Sequence, residues 1–109
     1  MPRDDVVLQD ILNAARLVTE FIQGFDKLSF IDDWKTHSAV LYQLTVIGEA
    51  VKRLSKELRD EHPEIPWALM AGMRDNLIHG YDLIDWDEVW KTARSDVPDL
   101  VSRIKSLLK

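Results

Sequence analysis

The sequence predicts an all-α protein, an antiparallel bundle of four main helices followed by a short or kinked fifth helical segment. Apolar residues recur at spacings of three and four along most of the 109 residues, which is the period of an amphipathic helix. No alternating apolar segment is long enough for a strand, and the four glycines and four prolines separate helical segments. The pattern contains no internal boundary, so we expect one domain over residues 1–109.

The first two helices follow from the apolar spacing. The first spans about Asp5–Gln23, and Gly24 stands where a helix C-terminus usually has glycine. Ser29 and Asp32 resemble a capping box for a second helix that continues to about Leu58 and would be ~45 Å long. The two apolar stripes consist of Val7, Ile11, Ala14, Ala15, Val18, Phe21 and Ile22, and of Trp34, His37, Leu41, Leu44, Ile47, Gly48, Val51, Leu54 and Leu58.

The third and fourth helices are marked by their end signals. The third begins at Pro66, a residue suited to a first helical position, and runs to about His79, where Gly80 ends it. Asp85 has the character of an N-cap for the fourth helix, with Glu88 three residues later. The predicted third helix therefore contains most of the polar cluster at residues 73–81.

Proline determines how the chain continues after the fourth helix. Pro98 lacks a backbone N–H and clashes with the preceding turn, so it cannot lie inside a regular helix. We therefore expect a kink or break near residues 94–95. A last helix, capped by Asp96, should then run to about Leu108.

Composition excludes several classes of protein. With 14 basic and 19 acidic residues the net charge is −5, which argues against a broad surface that coats nucleic acid. The chain has no cysteine, so disulfides and thiolate metal sites are excluded. No apolar run approaches a membrane span, and the acidic start Met1–Asp5 does not resemble a signal peptide. We expect a cytoplasmic protein.

Spacing also excludes several kinds of active site. The glycines at positions 24, 48, 72 and 80 never form a phosphate-binding loop. His37, His62 and His79 form no H-E-x-x-H pair, and none follows a glutamate at the spacing of a helical di-iron site. We expect neither a metal nor a cofactor.

One polar cluster, residues 73–81, contains groups able to cleave RNA without a metal. Arg74 offers a planar cation for phosphate, His79 an imidazole that titrates near neutrality, and Tyr81 a phenol. A base can take the proton of a ribose 2′-OH while cations stabilise the phosphoryl oxygens during the in-line attack. Residues five apart on an ideal helix point ~140° apart, so convergence on one phosphate requires a frayed helix end or a second copy.

A purely structural interpretation of the same residues stands beside this one. Arg74 fits a solvated helix position paired with an acid, and His79 fits a C-terminal cap favoured by the helix dipole. Spacing alone does not decide between the two interpretations.

The motif and its surroundings resemble the HepT-like ribonuclease toxins of the HEPN (higher eukaryote and prokaryote nucleotide-binding) superfamily. The signature of that superfamily is an arginine, four to six residues and a histidine, followed in this branch by x-Tyr. Arg74 and His79, with four residues between them, and Tyr81 match it. The resemblance covers about Asp4 to Leu107. It includes the blocks Ile47-Gly48-Glu49-Ala50, Arg53-Leu54-Ser55, Ile65-Pro66-Trp67, Gly72-Met73-Arg74, Ile84-Asp85, Val89-Trp90 and Asp96-Val97-Pro98.

The resemblance implies a role for each residue of the cluster. Arg74 and His79 correspond to the catalytic pair of a metal-independent endoribonuclease, acting in a cleft where two protomers meet. Asp75 stands where asparagine is common in the superfamily and would contact substrate. Apart from the resemblance, Glu49 on the second helix is either an acid that orients Arg74 or His79 or a polar residue of helix packing. Such toxins act on RNA, including transfer RNA in some members. They are silenced by a cognate minimal nucleotidyltransferase, which in systems resembling MntA transfers AMP to the tyrosine, here Tyr81.

The other aromatic and charged residues suggest structural roles. Trp67, Trp86 and Trp90 are predicted core residues, and Tyr42 is predicted to be packed at mid-helix. Residues 91–109 carry a local charge of +3 that could guide RNA or an acidic partner, although a solvated helix end explains it equally.

The sequence thus predicts a HEPN-like two-fold dimer that cleaves RNA and pairs with a nucleotidyltransferase antitoxin. A second hypothesis is a non-catalytic helical module that binds nucleotide or substrate for such a partner.

Overall fold

The protein is all-α, as the sequence predicts. The computed structural model describes residues 2–72 and 83–108, excepting the side chains of Pro2 and Leu69, and contains no β-strand within those ranges. None of the helices in these ranges is long and apolar enough to cross a membrane. The helices are α1 (Pro2–Phe21), α2 (Lys27–Asp32), α3 (Trp34–Lys52), α4 (Lys56–Glu61), α5 (Trp67–Ala71), α6 (Trp86–Lys91), a π-helical turn (Thr92–Asp96) and α7 (Val97–Leu107).

Helices α1 and α3 form the antiparallel centre of the bundle. The start of α1 meets the end of α3, because Asp4 accepts hydrogen bonds from Ser55 and Asp10 lies 3.6 Å from Arg53. Helices α5 and α6 also contact α3, and α7 packs on α1. This arrangement encloses a single core.

The apolar stripes predicted from spacing line that core except at Trp34, which is 69% exposed, so its predicted burial is wrong. Every predicted stripe residue of α1 is buried except Phe21, which packs half-buried against the core. On α3 the stripe is buried from its middle onward, at Leu44, Ile47, Gly48 and Val51. The predicted core role of Trp67 is confirmed, since its side chain is 7% exposed.

The prediction of one long second helix is wrong. Helix α3 ends at Lys52, and α4 begins after Ser55, whose hydroxyl accepts a hydrogen bond from the Leu58 N–H at 3.1 Å. Ser55 is in turn held by Asp4, 51 residues away. This contact between distant parts of the chain favours a cap where the local sequence permits a continuous helix.

The N-caps near α2 also differ from the prediction. The capping box is formed by Asp26 and Ser29, not by Ser29 and Asp32. Asp33 then caps α3 by accepting a hydrogen bond from the Thr36 N–H at 3.1 Å. Gly24 has the positive φ of 82° expected where the chain leaves α1.

The regular α-helix is interrupted before Pro98, as predicted, and the interruption takes the form of a π-helical turn. Residues 92–96 widen into a π-helical turn, which spans the predicted kink at residues 94–95. Pro98 lies in the first turn of α7, where a missing N–H is tolerated. Asp96 makes no side-chain cap, so that part of the prediction is wrong, whereas Asp85 caps α6 through the Glu88 N–H at 3.1 Å as predicted.

Candidate functional site

Most of the predicted site lies outside the described residues. Arg74, Asp75, His79 and Tyr81 belong to residues 73–82, so their proposed roles stay predictions. Glu49 is described. Its side chain is exposed on α3, with a carboxylate oxygen 3.8 Å from the Lys52 ammonium.

Helix α5 is the last described helix before Arg74 and His79, so its packing fixes the point at which that segment of the chain begins. Its five residues are too few to form a stable helix alone, so tertiary contacts must hold it. Ile65, Trp67 and Met70 provide these contacts, with side chains only 2%, 7% and 4% exposed. The Trp67 indole N–H also donates to the His62 carbonyl at 2.9 Å, which ties α5 to the end of α4.

A second tie joins the loop before α5 to α7. Arg103 donates from Nη1 to the Glu64 carbonyl at 3.1 Å, and from Nε to the Asp99 carboxylate at 2.9 Å. Asp99 therefore orients the guanidinium that braces the loop. The chain reaches Gly72, two residues before Arg74, from a segment fixed on both sides.

The outer face of α3 carries exposed side chains at its middle and end, with a half-buried residue between them. Tyr42 is 65% exposed, so the prediction that it is packed is wrong. Thr45 and Glu49 follow at helical spacing on the same side of α3. The helical period identifies this side as opposite to Val40, Leu44 and Ile47, which are fully buried.

An aromatic cluster fills the junction of α2, α3 and α6. His37 stacks on Trp86 with ring centroids 3.8 Å apart, and Phe30 lies 5.1 Å from the Trp90 ring. The His37 Nδ1 atom lies 3.0 Å from the Ile31 carbonyl, which accepts the bond when Nδ1 carries the proton. The predicted packing roles of Trp86 and Trp90 are confirmed. Apart from the place of His37 in the apolar stripe, nothing in the sequence predicted its aromatic contacts.

Metal-ligating side chains are dispersed in the described part of the chain. No group of three or more histidine, aspartate or glutamate side chains is placed there to hold a metal ion.

The all-α bundle of the described residues is consistent with a HEPN-like fold. The family model described as "Ribonuclease HepT-like" matches residues 11–107, and the chain belongs to that family.

Two relatives match over nearly their whole lengths. "Probable ribonuclease HepT" from Thermococcus cleftensis is 42% identical over 102 residues, covering 94% of this chain and 93% of that protein. "Putative RNase MJ0125" from Methanocaldococcus jannaschii is 38% identical over 111 residues, covering 100% and 96%. No solved structure matches the chain.

Proposed function

We propose that this protein is a metal-independent endoribonuclease, the toxin of a toxin–antitoxin pair. The observation that carries the proposal is the spacing of Arg74, His79 and Tyr81 inside the segment that matches the HepT-like family. The ribonuclease names of two relatives that match nearly the full chain support the same activity.

The proposed reaction needs only protein groups. One His79 takes the proton of a ribose 2′-OH, and the 2′-oxygen attacks the adjacent phosphorus in line. The bond to the 5′-oxygen breaks, and a second His79 protonates that leaving oxygen. The products are a 2′,3′-cyclic phosphate and a 5′-hydroxyl end. Arg74 stabilises the negative charge that develops on the phosphoryl oxygens.

Because the reaction uses one histidine as base and a second as acid, we propose a two-fold dimer with a shared cleft. Arg74 and His79 diverge by ~140° on an ideal helix, and a second copy supplies the missing partners. The exposed side chains of Tyr42 and Glu49 on the outer face of α3 support such a contact. Glu49 would orient Arg74 or His79 across the cleft, and Asp75 would contact the substrate.

Mixing inactive chains tests the composite cleft. In a heterodimer of Arg74→Ala and His79→Ala protomers, one intact arginine and one intact histidine remain in the cleft, so part of the activity should return. Light scattering at micromolar concentration should give twice the chain mass. A fully active monomer would contradict the dimer proposal.

We also propose that a nucleotidyltransferase partner silences the protein through Tyr81. An AMP group there would place a phosphate beside Arg74 and compete with RNA for its guanidinium. Tyr81→Phe should keep ribonuclease activity yet resist silencing by the partner and ATP. Intact mass should show additions of ~329 Da on the parent chain and none on the Phe variant. Equal modification of both chains would exclude Tyr81 as the modified residue.

Metal independence is tested by cleavage of labelled RNA in excess EDTA. The rate should be unchanged by the chelator, and the fragments should carry 2′,3′-cyclic phosphate or 3′-phosphate ends. Loss of cleavage in EDTA that returns with added Mg²⁺ would refute the proposed chemistry.

A further inference from the structure

An open groove lies where α2 meets the start of α3, on a surface that the ribonuclease proposal does not use. Its lining residues are Phe25, Ser29, Asp32, Asp33, Trp34 and Lys35, and its volume is about 450 Å³. The aromatic side chains of Phe25 and Trp34 and the carboxylates of Asp32 and Asp33 thus share one shallow surface. Such a surface combines apolar and negatively charged contacts.

The groove exposes one large aromatic side chain. Trp34 is 69% exposed although it opens the predicted apolar stripe of α3. Tryptophan is enriched at the energetic centres of binding surfaces, where its large ring becomes covered. The exposed Trp34 ring in the lining of the groove therefore indicates a contact surface.

The charge around the groove indicates the charge of the partner that would bind there. Segments 26–36 and 85–91, which meet where α2 packs on α6, carry six carboxylates and three lysines. Lys27 is already paired with Asp87 at 3.0 Å. The surface is therefore negative, which repels the phosphates of RNA and attracts a cation.

The carboxylates that line the groove retain acceptor capacity. Asp33 uses one oxygen as the cap of α3, through the Thr36 N–H. Among the described residues none donates a hydrogen bond to the carboxylate of Asp32, and that side chain is exposed. A cationic ligand with several N–H donors would satisfy these oxygens.

We propose that this groove binds a basic segment of a partner protein, with an arginine guanidinium lying on the Trp34 ring and donating to Asp32. Arginine fits better than lysine because its planar cation stacks on an indole while its N–H groups bind a carboxylate. The site is separate from residues 74–81 in the sequence and does not depend on ribonuclease activity.

Nuclear magnetic resonance of the four tryptophan indole N–H groups provides the test. The Trp34 signal is assigned by its loss in Trp34→Phe. A capped hexa-arginine peptide added to the parent protein should shift this signal more than those of Trp67, Trp86 and Trp90. Capped hexaglutamate and a uridine 12-mer should leave it unchanged.

Calorimetry with the hexa-arginine peptide then measures the contribution of each side chain. Trp34→Ala and Asp32→Asn should each weaken binding at least ~5-fold, the scale of one cation–π or charge-assisted contact. Both side chains are exposed, so the variants should fold, as a thermal melt will verify. Val6→Ala, a change at a comparably exposed apolar residue on α1, should bind as the parent does.

Several results would overturn the proposal. An unmoved Trp34 signal, or equal weakening by Val6→Ala, would show that the groove is not the binding site. A larger shift with the uridine 12-mer would make it an RNA surface. A Trp34 signal that moves with protein concentration alone would show that a second copy of the chain covers it.

Discussion

Replacing Asp4 with alanine tests the contact that joins the start of α1 to the start of α4. The carboxylate is 5% exposed and accepts bonds from the Ser55 N–H at 2.9 Å and hydroxyl at 2.6 Å. Hydrogen bonds to a charged group contribute ~1.5–3 kcal/mol each, but the half-buried Ser55 can recover part of this from water. We expect a net loss of about 2 kcal/mol, which lowers the melting temperature by roughly 8–16 °C in a domain of this size.

Differential scanning calorimetry measures this loss, with Asp5→Ala as the matched control. Asp5 is the next residue on α1 but is exposed, so its replacement should change stability by less than ~0.5 kcal/mol. Equal melting temperatures for the two variants would refute the reasoning.

The same contact predicts a pH dependence. Burial alone would raise the pKa of Asp4, but the hydrogen bonds from the Ser55 side chain and backbone outweigh it and lower the pKa. The folded carboxylate is therefore more acidic than the unfolded one, so its stabilisation is present above the ordinary value near 3.9 and is lost as the pH falls through the folded value. Urea unfolding should show the stability gap between the parent and Asp4→Asn shrinking below about pH 4. A gap that does not change with pH would contradict this assignment.

Three further changes probe the fold. Gly24→Ala should lower the free energy of unfolding by about 1–2 kcal/mol because of the φ of 82° alone, since nothing lies within 4 Å of the added Cβ. A neutral effect by urea titration would show that the turn relaxes. Phe30→Ala should cost ~3–5 kcal/mol because its fully buried ring packs against Trp90, and a loss under ~1 kcal/mol would place Phe30 outside the core. Trp67→Phe keeps an aromatic ring but removes the bond to the His62 carbonyl, so calorimetry should show a loss of about 1 kcal/mol, and no change would mean that the bond contributes nothing.

The sequence predicts the buried faces of the main helices because their apolar period is local information. The buried stripe of α1 and the interruption of the regular α-helix before Pro98 both follow from such local rules. The break between α3 and α4 does not, because it involves a hydrogen bond from Ser55 to a residue 51 positions earlier.

The exposure of two α3 aromatics was also beyond sequence reasoning. Periodicity assigned Trp34 to the buried stripe, yet whether a neighbouring helix reaches the first turn of α3 depends on tertiary arrangement. Tyr42 was predicted to be packed because it lies mid-helix, but its side chain is exposed on the outer face of α3. The candidate site itself rests on spacing and family resemblance, because the positions of Arg74 and His79 depend on how helices and protomers meet.

The most direct measurement of the central claim is the RNA cleavage rate of Arg74→Ala and His79→Ala beside Arg16→Ala and His62→Ala. The control side chains are an arginine exposed on α1 and a histidine outside the motif, and the bond from Trp67 reaches only the backbone of His62. Both motif variants should lose more than ~100-fold in rate while melting as the parent does, and both controls should remain within about threefold of it. Motif variants that cleave RNA as fast as the parent would contradict the assignment of this chain as a ribonuclease acting through Arg74 and His79.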